Sequence, residues 1–338
     1  MSTARFWTPV EDGRVQCDAC PHGCRPVEGA RGRCFVRLNR EGRLVSAAWG
    51  RPAALAVDPV EKKPLYHVLP GTSVLSIGTL GCNLACRFCQ NDSLSRPQGE
   101  GGAGPLVSPE ELAALAVREQ IPMVVATYNE PAVWPEYAMD LADAVHARGL
   151  RMAAVTSGYI QGEARREFFR RMDAANVDLK SFRDSFYRNL CGARLAPVLE
   201  TLVYIRRETA CWLEVTTLLI PGWYDSEAEV DELTAWVAEE LGPDTPLHFS
   251  RFHGASDMSA GEDTPLSTLL RAKQQAVRNG LHYVYLGNVH GVDGGVDTLC
   301  KACGRMLIAR NGFRVNRLGM DEEGKCLACG TICAGIWA

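Results

Sequence analysis

The chain has 338 residues, of which 46% are hydrophobic and 22% are charged, a composition that excludes a mainly disordered protein. A formal net charge of -4 provides no basic field for nucleic acid, so no nucleic-acid partner is expected. The sequence has neither an apolar run of about 18 residues nor a secretory leader pattern, which predicts a cytoplasmic protein without a membrane partner. In that compartment, the 14 cysteines indicate metal binding or catalysis rather than disulfides.

The first cysteine-rich stretch lies within residues 1–70, which are predicted to form an N-terminal region of their own. This region is rich in Gly and Arg and shows little hydrophobic periodicity. Its four cysteines are spaced closely enough for their thiolates to converge on one metal centre: Cys17, Cys20, Cys24 and Cys34. Spacing does not distinguish between metals, so both zinc and an auxiliary [4Fe-4S] cluster remain open for this set.

Residues 71–295 alternate short apolar runs with helical patterns. Helix start signals lie at Ser108, which precedes Pro109 and Glu111, and at Ser226 and Thr264. The alternation predicts an α/β fold with parallel strands, as a barrel, a partial barrel or a doubly wound sheet, and ligands bind at the carboxyl ends of such strands. The predicted strands are Ser73–Thr79, Pro122–Thr127, Leu150–Thr156, Ala175–Lys180, Trp212–Leu219, Leu247–Arg251 and Tyr283–Gly287.

A cysteine triad follows directly on the first predicted strand. Cys82, Cys86 and Cys89 form the pattern C-x3-C-x2-C. Three thiolates can bind three corners of a [4Fe-4S] cluster and leave one iron open, whereas electron-transfer ferredoxins generally supply four ligands. The structural alternative is a zinc site with a fourth ligand such as His67, which the β-α series around the triad disfavours. The sequence therefore predicts a catalytic cluster at this strand end.

This triad resembles that of radical S-adenosylmethionine (SAM) enzymes, especially the activases of glycyl-radical enzymes. The resemblance implies that SAM chelates the open iron and that the reduced cluster cleaves SAM to a 5'-deoxyadenosyl radical. In those activases the second strand usually ends in Gly-Gly-Glu. Here Tyr128-Asn129-Glu130 stands instead, so only the carboxylate is retained. The candidate cofactor-binding residues are Phe88, Gln90, Asn129, Glu130, Ser157, Asp178, Lys180 and His253.

Residues 296–338 are predicted to form a C-terminal cysteine-rich region. The pairs Cys300-x2-Cys303 and Cys326-x2-Cys329 make a zinc-ribbon pattern, for which zinc is favoured over an auxiliary [4Fe-4S] cluster. Cys333 is then outside the ligand set. The isolated Cys191 and Cys211 are predicted to be buried and outside any ligand set. For Cys191, in the loop after Asp178-Leu179-Lys180, hydrogen-atom donation is a minor alternative.

With the outer groups included, the chain resembles nearly end to end the radical SAM component of the AmmeMemoRadiSam system, a relative of the pyruvate formate-lyase activating enzymes. The resemblance rests on CDACPHGC from Cys17, EKKPL from Glu61, YLGNV from Tyr285, the motifs above and the closing CKACG and CLACG. It implies a partial (β/α)6 TIM-type barrel with a small cysteine-rich extension at each end. It also implies an electron donor of flavodoxin or ferredoxin type and association with Memo-like or AMMECR-like proteins.

Two hypotheses for function follow. The first is a radical SAM enzyme, an oxidoreductase-like or activating enzyme, that abstracts hydrogen from a protein or, alternatively, from a small metabolite. The second is a zinc-stabilised module that binds a Memo-like or AMMECR-like partner without radical chemistry.

Arg96–Gly104 is rich in Gly and predicts a mobile loop near the active face.

Overall fold

The computed structural model describes residues 2–97, 105–289, 291–292 and 294–338. Most of the predicted mobile loop, residues 98–104, lies outside the described residues. The described chain is built around one eight-stranded sheet. Its strands are β6 (Ala54–Pro59), β7 (Ser73–Gly78), β8 (Met123–Ala126), β9 (Arg151–Thr156), β10 (Ala174–Asp178), β11 (Trp212–Leu219), β12 (Leu247–Arg251) and β13 (Val284–Gly287).

The sheet follows the chain in order, from β6 at one edge to β13 at the other. Strands β7 to β13 are parallel to their neighbours, and β6 pairs antiparallel with β7. The predicted α/β class is therefore confirmed, and all seven predicted strands are present to within two residues at either end. The eighth strand, β6, was not predicted, and it joins part of the N-terminal region to the sheet.

Helices follow the strands and cover one face of the sheet. They are α1 (Asp92–Ser95), α2 (Pro109–Arg118), α3 (Pro135–His146), α4 (Gly162–Phe169), α5 (Asp184–Phe186), α6 (Ala196–Glu208), α7 (Glu227–Trp236) and α8 (Leu266–Arg278). The turns Tyr187–Cys191 and Val237–Leu241, which continue α5 and α7, are π-helical.

Helices begin at all three predicted start signals, and two of the three predicted side-chain caps form. Ser108 forms a reciprocal capping box with Glu111, and Ser226 accepts a hydrogen bond from the Glu229 backbone N–H. The third helix, α8, begins at Leu266 as the Thr264-Pro265 signal predicts, but the Thr264 side chain does not cap it. Its hydroxyl is buried, donates to the Leu219 carbonyl at 2.7 Å and accepts from the Phe252 backbone N–H at 2.9 Å. The Thr264 hydroxyl therefore bonds to residues distant in sequence, although its position before a helix predicts a cap.

Both faces of the sheet are buried, as expected of parallel strands between helices and an inner core. On β8, Val124 and Ala126 pack into the cluster that includes the helices, whereas Met123 and Val125 pack against a segment around Leu65–Leu69. Successive side chains on a strand point to opposite faces, so a short and fully apolar run fills two cores at once. This is why such runs identified the strands in the sequence.

Small sheets flank the large one at the two ends of the chain. The N-terminal strands are β1 (Ser2–Thr3), β2 (Trp7–Pro9), β3 (Val15–Cys17), β4 (Arg37–Arg40) and β5 (Arg43–Ser46). The C-terminal region forms a three-stranded sheet of β14 (Thr298–Leu299), β15 (Met306–Asn311) and β16 (Arg314–Arg317). Within the described ranges, no helix has both the length and the apolar composition to cross a membrane.

The C-terminal region lies at the amino-terminal ends of the parallel strands. Lys301 pairs at 2.6 Å with Asp244, which is in the loop that leads into β12. The tail pairs with the segment before β7, where the Leu69 backbone N–H donates to the Ile336 carbonyl at 2.8 Å. This region therefore occupies the end of the sheet opposite the carboxyl strand ends.

Candidate functional site

A cavity of about 530 Å³ lies at the carboxyl ends of the parallel strands. It collects residues that are far apart in sequence, because the carboxyl ends of parallel strands meet at one side of a sheet. Ten of the eleven predicted catalytic and cofactor-binding residues line it: Cys82, Cys86, Cys89, Phe88, Gln90, Asn129, Glu130, Ser157, Asp178 and Lys180.

His253 is the predicted cofactor-binding residue that does not line this cavity. Its imidazole Nδ1 lies 2.8 Å from the Asp263 carboxylate, and the side chain is 42% exposed. His67, the alternative zinc ligand for the triad, lies elsewhere. It is buried, with Nδ1 2.7 Å from the Ala334 carbonyl and Nε2 2.7 Å from the Tyr285 hydroxyl. Both of its ring nitrogens are occupied there, so the structure does not bring it to the triad.

The loop that carries the triad enters the cavity through a tight glycine turn. Gly81 has φ +90°, and a Cβ at this position would lie 2.3 Å from the Cys34 carbonyl oxygen. Only glycine combines that backbone conformation with so close an approach. The Asn129 side chain fixes the same turn, donating to the Gly81 carbonyl at 2.7 Å and accepting from the Thr79 backbone N–H at 3.1 Å. Asn129 therefore positions the cysteine loop.

The far side of the cysteine loop rests on the π-helical turn. The Ala85 and Arg87 backbone N–H groups donate to the Cys191 and Leu190 carbonyls at 2.8 and 2.9 Å. A π-helical turn that stops at once leaves such carbonyls free to accept from another segment, and such turns are frequent at functional sites. The buried Cys191 thiol lies beside that of Cys86. The predicted burial of Cys191 and Cys211 is confirmed.

The three cysteine thiols of the loop open onto the cavity without closing around a single point. Among the described residues, they do not form a group whose sulfur atoms all lie within 4.8 Å of one another. Thiolates on different corners of an iron-sulfur cluster are farther apart than thiolates on one ion. The spacing and the adjoining cavity therefore fit a [4Fe-4S] cluster with one open iron better than a four-coordinate zinc ion.

Glu130 is a buried carboxylate that neutral donors hold in one orientation. Its Oε1 accepts from the Ala132 backbone N–H at 2.9 Å and from the Thr156 hydroxyl at 2.5 Å. Its Oε2 accepts from the Ser157 backbone N–H at 2.7 Å and the Ser157 hydroxyl at 2.6 Å. Among the ion pairs of the described residues, none involves Glu130. Its negative charge is thus fixed at the cavity wall and available to a ligand cation.

Asp178 and Lys180 bring a second pair of charges to the cavity, at the end of β10. The Lys180 ammonium donates to the Asp178 carboxylate at 2.8 Å. Burial of the amine disfavours its charged form, but the adjacent Asp178 charge prevails and raises the pKa of Lys180 above its ordinary range. The pair therefore offers both a cation and a hydrogen-bond acceptor to a bound cofactor.

A polar network that was not predicted as part of the site forms another wall of the cavity. Asp58, at the end of β6, accepts from Lys62, Lys63 and the Tyr128 hydroxyl at 2.8, 2.8 and 2.6 Å. Burial of Asp58 favours the neutral acid, but these three donors hold the pKa of Asp58 well below its usual range. Burial and the bond to Asp58 raise the pKa of Tyr128 to about 12.

These missed residues differ in the signal that could have found them. Thr216 also lines the cavity, from within β11 beside Asp178. Ser250 and Asn288 line it as well, and they lie at or just after the carboxyl ends of predicted strands. The rule that placed Glu130 and Asp178 applies to them as well. Lys62 ends a 3-10 turn before the first predicted strand, and Lys63 follows it. The EKKPL motif of the resemblance contains both lysines, but no strand-end rule assigns them to the cavity.

The C-terminal cysteines form a compact group. Cys300 Sγ lies 3.6 Å from Cys329 Sγ, and Cys303 Sγ lies 3.7 Å from Cys326 Sγ. All four sulfur atoms lie within 4.8 Å of one another. Tetrahedral thiolates about 2.3 Å from one zinc ion are about 3.8 Å apart, so this group has the dimensions of a zinc site. Cys333 lies outside the group, with its Sγ 3.8 Å from His67 Nδ1.

The N-terminal cysteines are more widely spread, although Cys17, Cys20, Cys24 and Cys34 line one pocket. Among the described residues, they do not form a group as compact as the C-terminal one. The Cys17 backbone N–H donates to the Cys24 carbonyl at 2.9 Å, which closes the loop that carries three of them. The structure thus brings all four residues of this predicted set together.

The chain is similar to known proteins in sequence and in fold. A model of the radical SAM superfamily matches residues 76–234. An uncharacterized protein of Methanocaldococcus jannaschii is 38% identical over 331 residues, which cover 98% of each chain. The benzylsuccinate synthase activating enzyme of Thauera aromatica is 25% identical over 190 residues, covering 52% of this chain and 57% of that one. The structure of a radical SAM methyltransferase from Sphaerobacter thermophilus has a similar fold, with a TM-score of 0.52 and 17% identity over 70% of this chain and 71% of that one.

Proposed function

We propose that this chain, which contains a radical SAM domain and belongs to one family with the protein of M. jannaschii, cleaves SAM at a [4Fe-4S] cluster held by Cys82, Cys86 and Cys89. The observation that carries the proposal is the cavity at the carboxyl strand ends. Three thiols and a fixed carboxylate face the same space there. A cluster with one open iron, when bound there, supplies the electron that splits the sulfonium of SAM into methionine and a 5'-deoxyadenosyl radical.

Different residues at the cavity bind different groups of SAM. Glu130 attracts the SAM ammonium through its charge, since its four hydrogen bonds come from neutral donors and its carboxylate has no cation of its own among the described ion pairs. Lys180 and Asp178 bind carboxylate and hydroxyl groups of SAM through their opposite charges. Asn129 positions the cysteine loop and does not contact SAM through its amide, which is engaged by the loop and by Trp134.

We also propose that the sheet curves into an incomplete (β/α)6 barrel. Thr156 on β9, Thr216 on β11 and Ser250 on β12 line the same cavity as Glu130 and Asp178, which follow β8 and end β10. Side chains from five neighbouring strands reach one space of this size most simply when the sheet is concave. This supports a barrel whose mouth holds the cofactor.

For the C-terminal region we propose a structural zinc ion held by Cys300, Cys303, Cys326 and Cys329. The sulfur separations of 3.6 and 3.7 Å support zinc over an auxiliary cluster. The group lies at the end of the sheet opposite the cavity, where Lys301 pairs with Asp244. A closed four-thiolate site away from the reacting face stabilises the fold without taking part in the reaction.

We propose a protein as the substrate and a low-potential flavodoxin or ferredoxin of the cytoplasm as the electron donor. The relative from T. aromatica is named for activating another enzyme, which supports a protein substrate, and a small metabolite is the rival. Association with Memo-like or AMMECR-like proteins is a further proposal that rests on the sequence resemblance alone. Isotope transfer from deuterated candidate substrates into 5'-deoxyadenosine would separate the two substrate classes.

Anaerobic reconstitution followed by dithionite and SAM tests the central proposal. The wild-type chain is expected to form 5'-deoxyadenosine and methionine, and Cys86→Ala is expected to abolish both. Cys211→Ala is the matched control, because Cys211 is a buried cysteine away from the cavity. Product from Cys86→Ala at the wild-type rate would overturn the assignment. About two zinc ions and no iron per chain would instead favour the binding module without radical chemistry.

A further inference from the structure

The N-terminal cysteines surround a pocket that is distinct from the SAM cavity. Its wall contains all four cysteines of the region, together with His22, Arg33, Arg37 and Asn83. Cys17 ends β3, and tight turns between Cys17 and Cys24 bring the next two thiols to the same side. Four thiols around one enclosed space form a complete ligand set, whereas the SAM cavity has three.

The sulfur spacing separates this pocket from the zinc-like group at the other end of the chain. The C-terminal sulfurs form pairs at 3.6 and 3.7 Å, as ligands of one ion do. Among the described residues, no three of the N-terminal sulfurs lie within 4.8 Å of one another. Thiolates that each bind a different iron of a cluster lie farther apart than the ligands of one ion, so the spread of this set is compatible with a cluster.

Hydrogen-bond donors of two arginines lie at the N-terminal pocket, and one of them, Arg37 Nε, is unpartnered among the described residues. Arg37 is 2% exposed and pairs at 2.9 Å with Glu136, and its Nε has no hydrogen-bond partner among the described residues. The Arg33 backbone N–H lies 3.5 Å from Cys24 Sγ. Buried donors are costly without partners, and a four-thiolate cluster is an anion whose sulfurs accept hydrogen bonds. The pocket is therefore suited to a negatively charged occupant.

The same pocket shares a wall with the loop of the SAM cavity. Asn83, which directly follows Cys82, lines the N-terminal pocket beside the Cys20 thiol. The His22 Nε2 atom lies 2.8 Å from the Asn83 carbonyl oxygen. On the other side of Cys82, the Gly81 turn packs against the Cys34 carbonyl so closely that a Cβ does not fit. Both neighbours of Cys82 thus contact the N-terminal cysteine segment.

We propose that Cys17, Cys20, Cys24 and Cys34 bind an auxiliary [4Fe-4S] cluster that relays electrons to the cluster at Cys82. In each relay step, an external low-potential protein donor gives one electron to the auxiliary cluster, which passes the same electron through the Cys82 loop. No proton moves and no bond breaks in this transfer. The relay rests on the proposed radical chemistry, whereas the auxiliary cluster itself does not.

Iron and zinc analysis after anaerobic reconstitution tests the cluster. The wild-type chain is expected to hold about eight irons and about one zinc ion. A Cys82→Ala/Cys86→Ala/Cys89→Ala variant is expected to keep about four irons, with the paramagnetic resonance signal of a reduced [4Fe-4S] cluster that SAM does not perturb. Cys24→Ser is expected to lose about four irons and to keep the SAM-perturbed signal. Cys211→Ala is expected to match the wild type.

The outcomes distinguish failure of this inference from failure of the proposed function. A triple variant that holds no iron, or about two zinc ions, overturns the auxiliary cluster even if the wild type cleaves SAM. A triple variant with about four irons supports the cluster even if the wild type forms no 5'-deoxyadenosine. If Cys24→Ser fails to fold, as judged by circular dichroism, the triple variant still decides the question.

A second measurement tests the electron relay separately from the presence of the auxiliary cluster. In Cys24→Ser, 5'-deoxyadenosine formation driven by reduced flavodoxin is expected to fall more than formation driven by dithionite, because a small reductant can enter the open SAM cavity directly. The ratio of the two rates is therefore the measurement. An unchanged ratio in a variant that has lost the auxiliary iron overturns the relay and leaves the cluster as a structural element.

Discussion

The cysteine loop at the carboxyl-end cavity and the C-terminal cysteine group use the same ligand type in opposite ways. The loop presents three thiols to a cavity of about 530 Å³ and leaves room for another ligand. The C-terminal group brings four sulfurs within 4.8 Å of one another and leaves none. Open coordination permits chemistry, and closed coordination favours stability. The two sites lie at opposite ends of the parallel strands, so each can be changed without direct contact with the other.

The largest expected effect is at the closed site. Cys326→Ser removes a buried ligand, and zinc affinity is expected to fall by more than about 100-fold, with a lower midpoint of thermal unfolding. Zinc titration with a competing chelator measures the first effect, and calorimetry measures the second. Cys333→Ser is the control, since Cys333 is buried nearby but outside the group. Equal zinc affinity in Cys326→Ser and the wild type would contradict a closed four-thiolate site.

At the open site, Glu130→Gln removes the charge that faces the cavity. Loss of a polar interaction with a charged group costs about 1.5–3 kcal/mol, so the SAM dissociation constant is expected to rise about 10- to 100-fold. Isothermal titration of the reconstituted protein is the measurement. Thr156→Val removes one donor to Glu130 but keeps the charge, and it should weaken SAM binding less. If the two variants weaken binding equally, Glu130 acts only through the local structure.

His67 joins the C-terminal region to the sheet through its contacts with Ala334 and Tyr285. Burial lowers the pKa of His67 from about 6.5 to about 4. The unfolded chain therefore binds a proton between these pH values that the folded chain does not, and stability is lost as the pH falls. Between pH 7 and pH 5 the free energy of unfolding is expected to drop by about 2 kcal/mol from this residue.

Chemical denaturation at the two pH values measures this change. His67→Gln keeps a hydrogen-bonding side chain without a titrating group, and its stability is expected to depend less steeply on pH over that range. Reconstituted SAM binding at pH 7 should remain, because His67 does not line the cavity. An equally steep dependence in His67→Gln would assign the loss of stability to other groups.

Much of this architecture follows from local sequence. The seven parallel strands are short apolar runs because both of their faces are buried, and Ser108 with Glu111 starts α2 by hydrogen bonds within one turn. The strand β6 escaped detection because it is an edge strand, with Leu55 and Val57 exposed and only Asp58 buried. Thr264 was misassigned because its hydroxyl bonds to residues distant in sequence, Leu219 and Phe252.

The sequence by itself determined which residues could bind metal and that Cys82, Cys86 and Cys89 follow a strand end. Tertiary structure decided how far apart the thiols lie, since the spacing of cysteines along the chain does not fix the distance between their sulfur atoms. It brought Lys63 and Asn288 to the cavity and kept His253 away from its wall. It also placed the N-terminal cysteines against both neighbours of Cys82. Such placements depend on packing between distant segments, which no local pattern encodes.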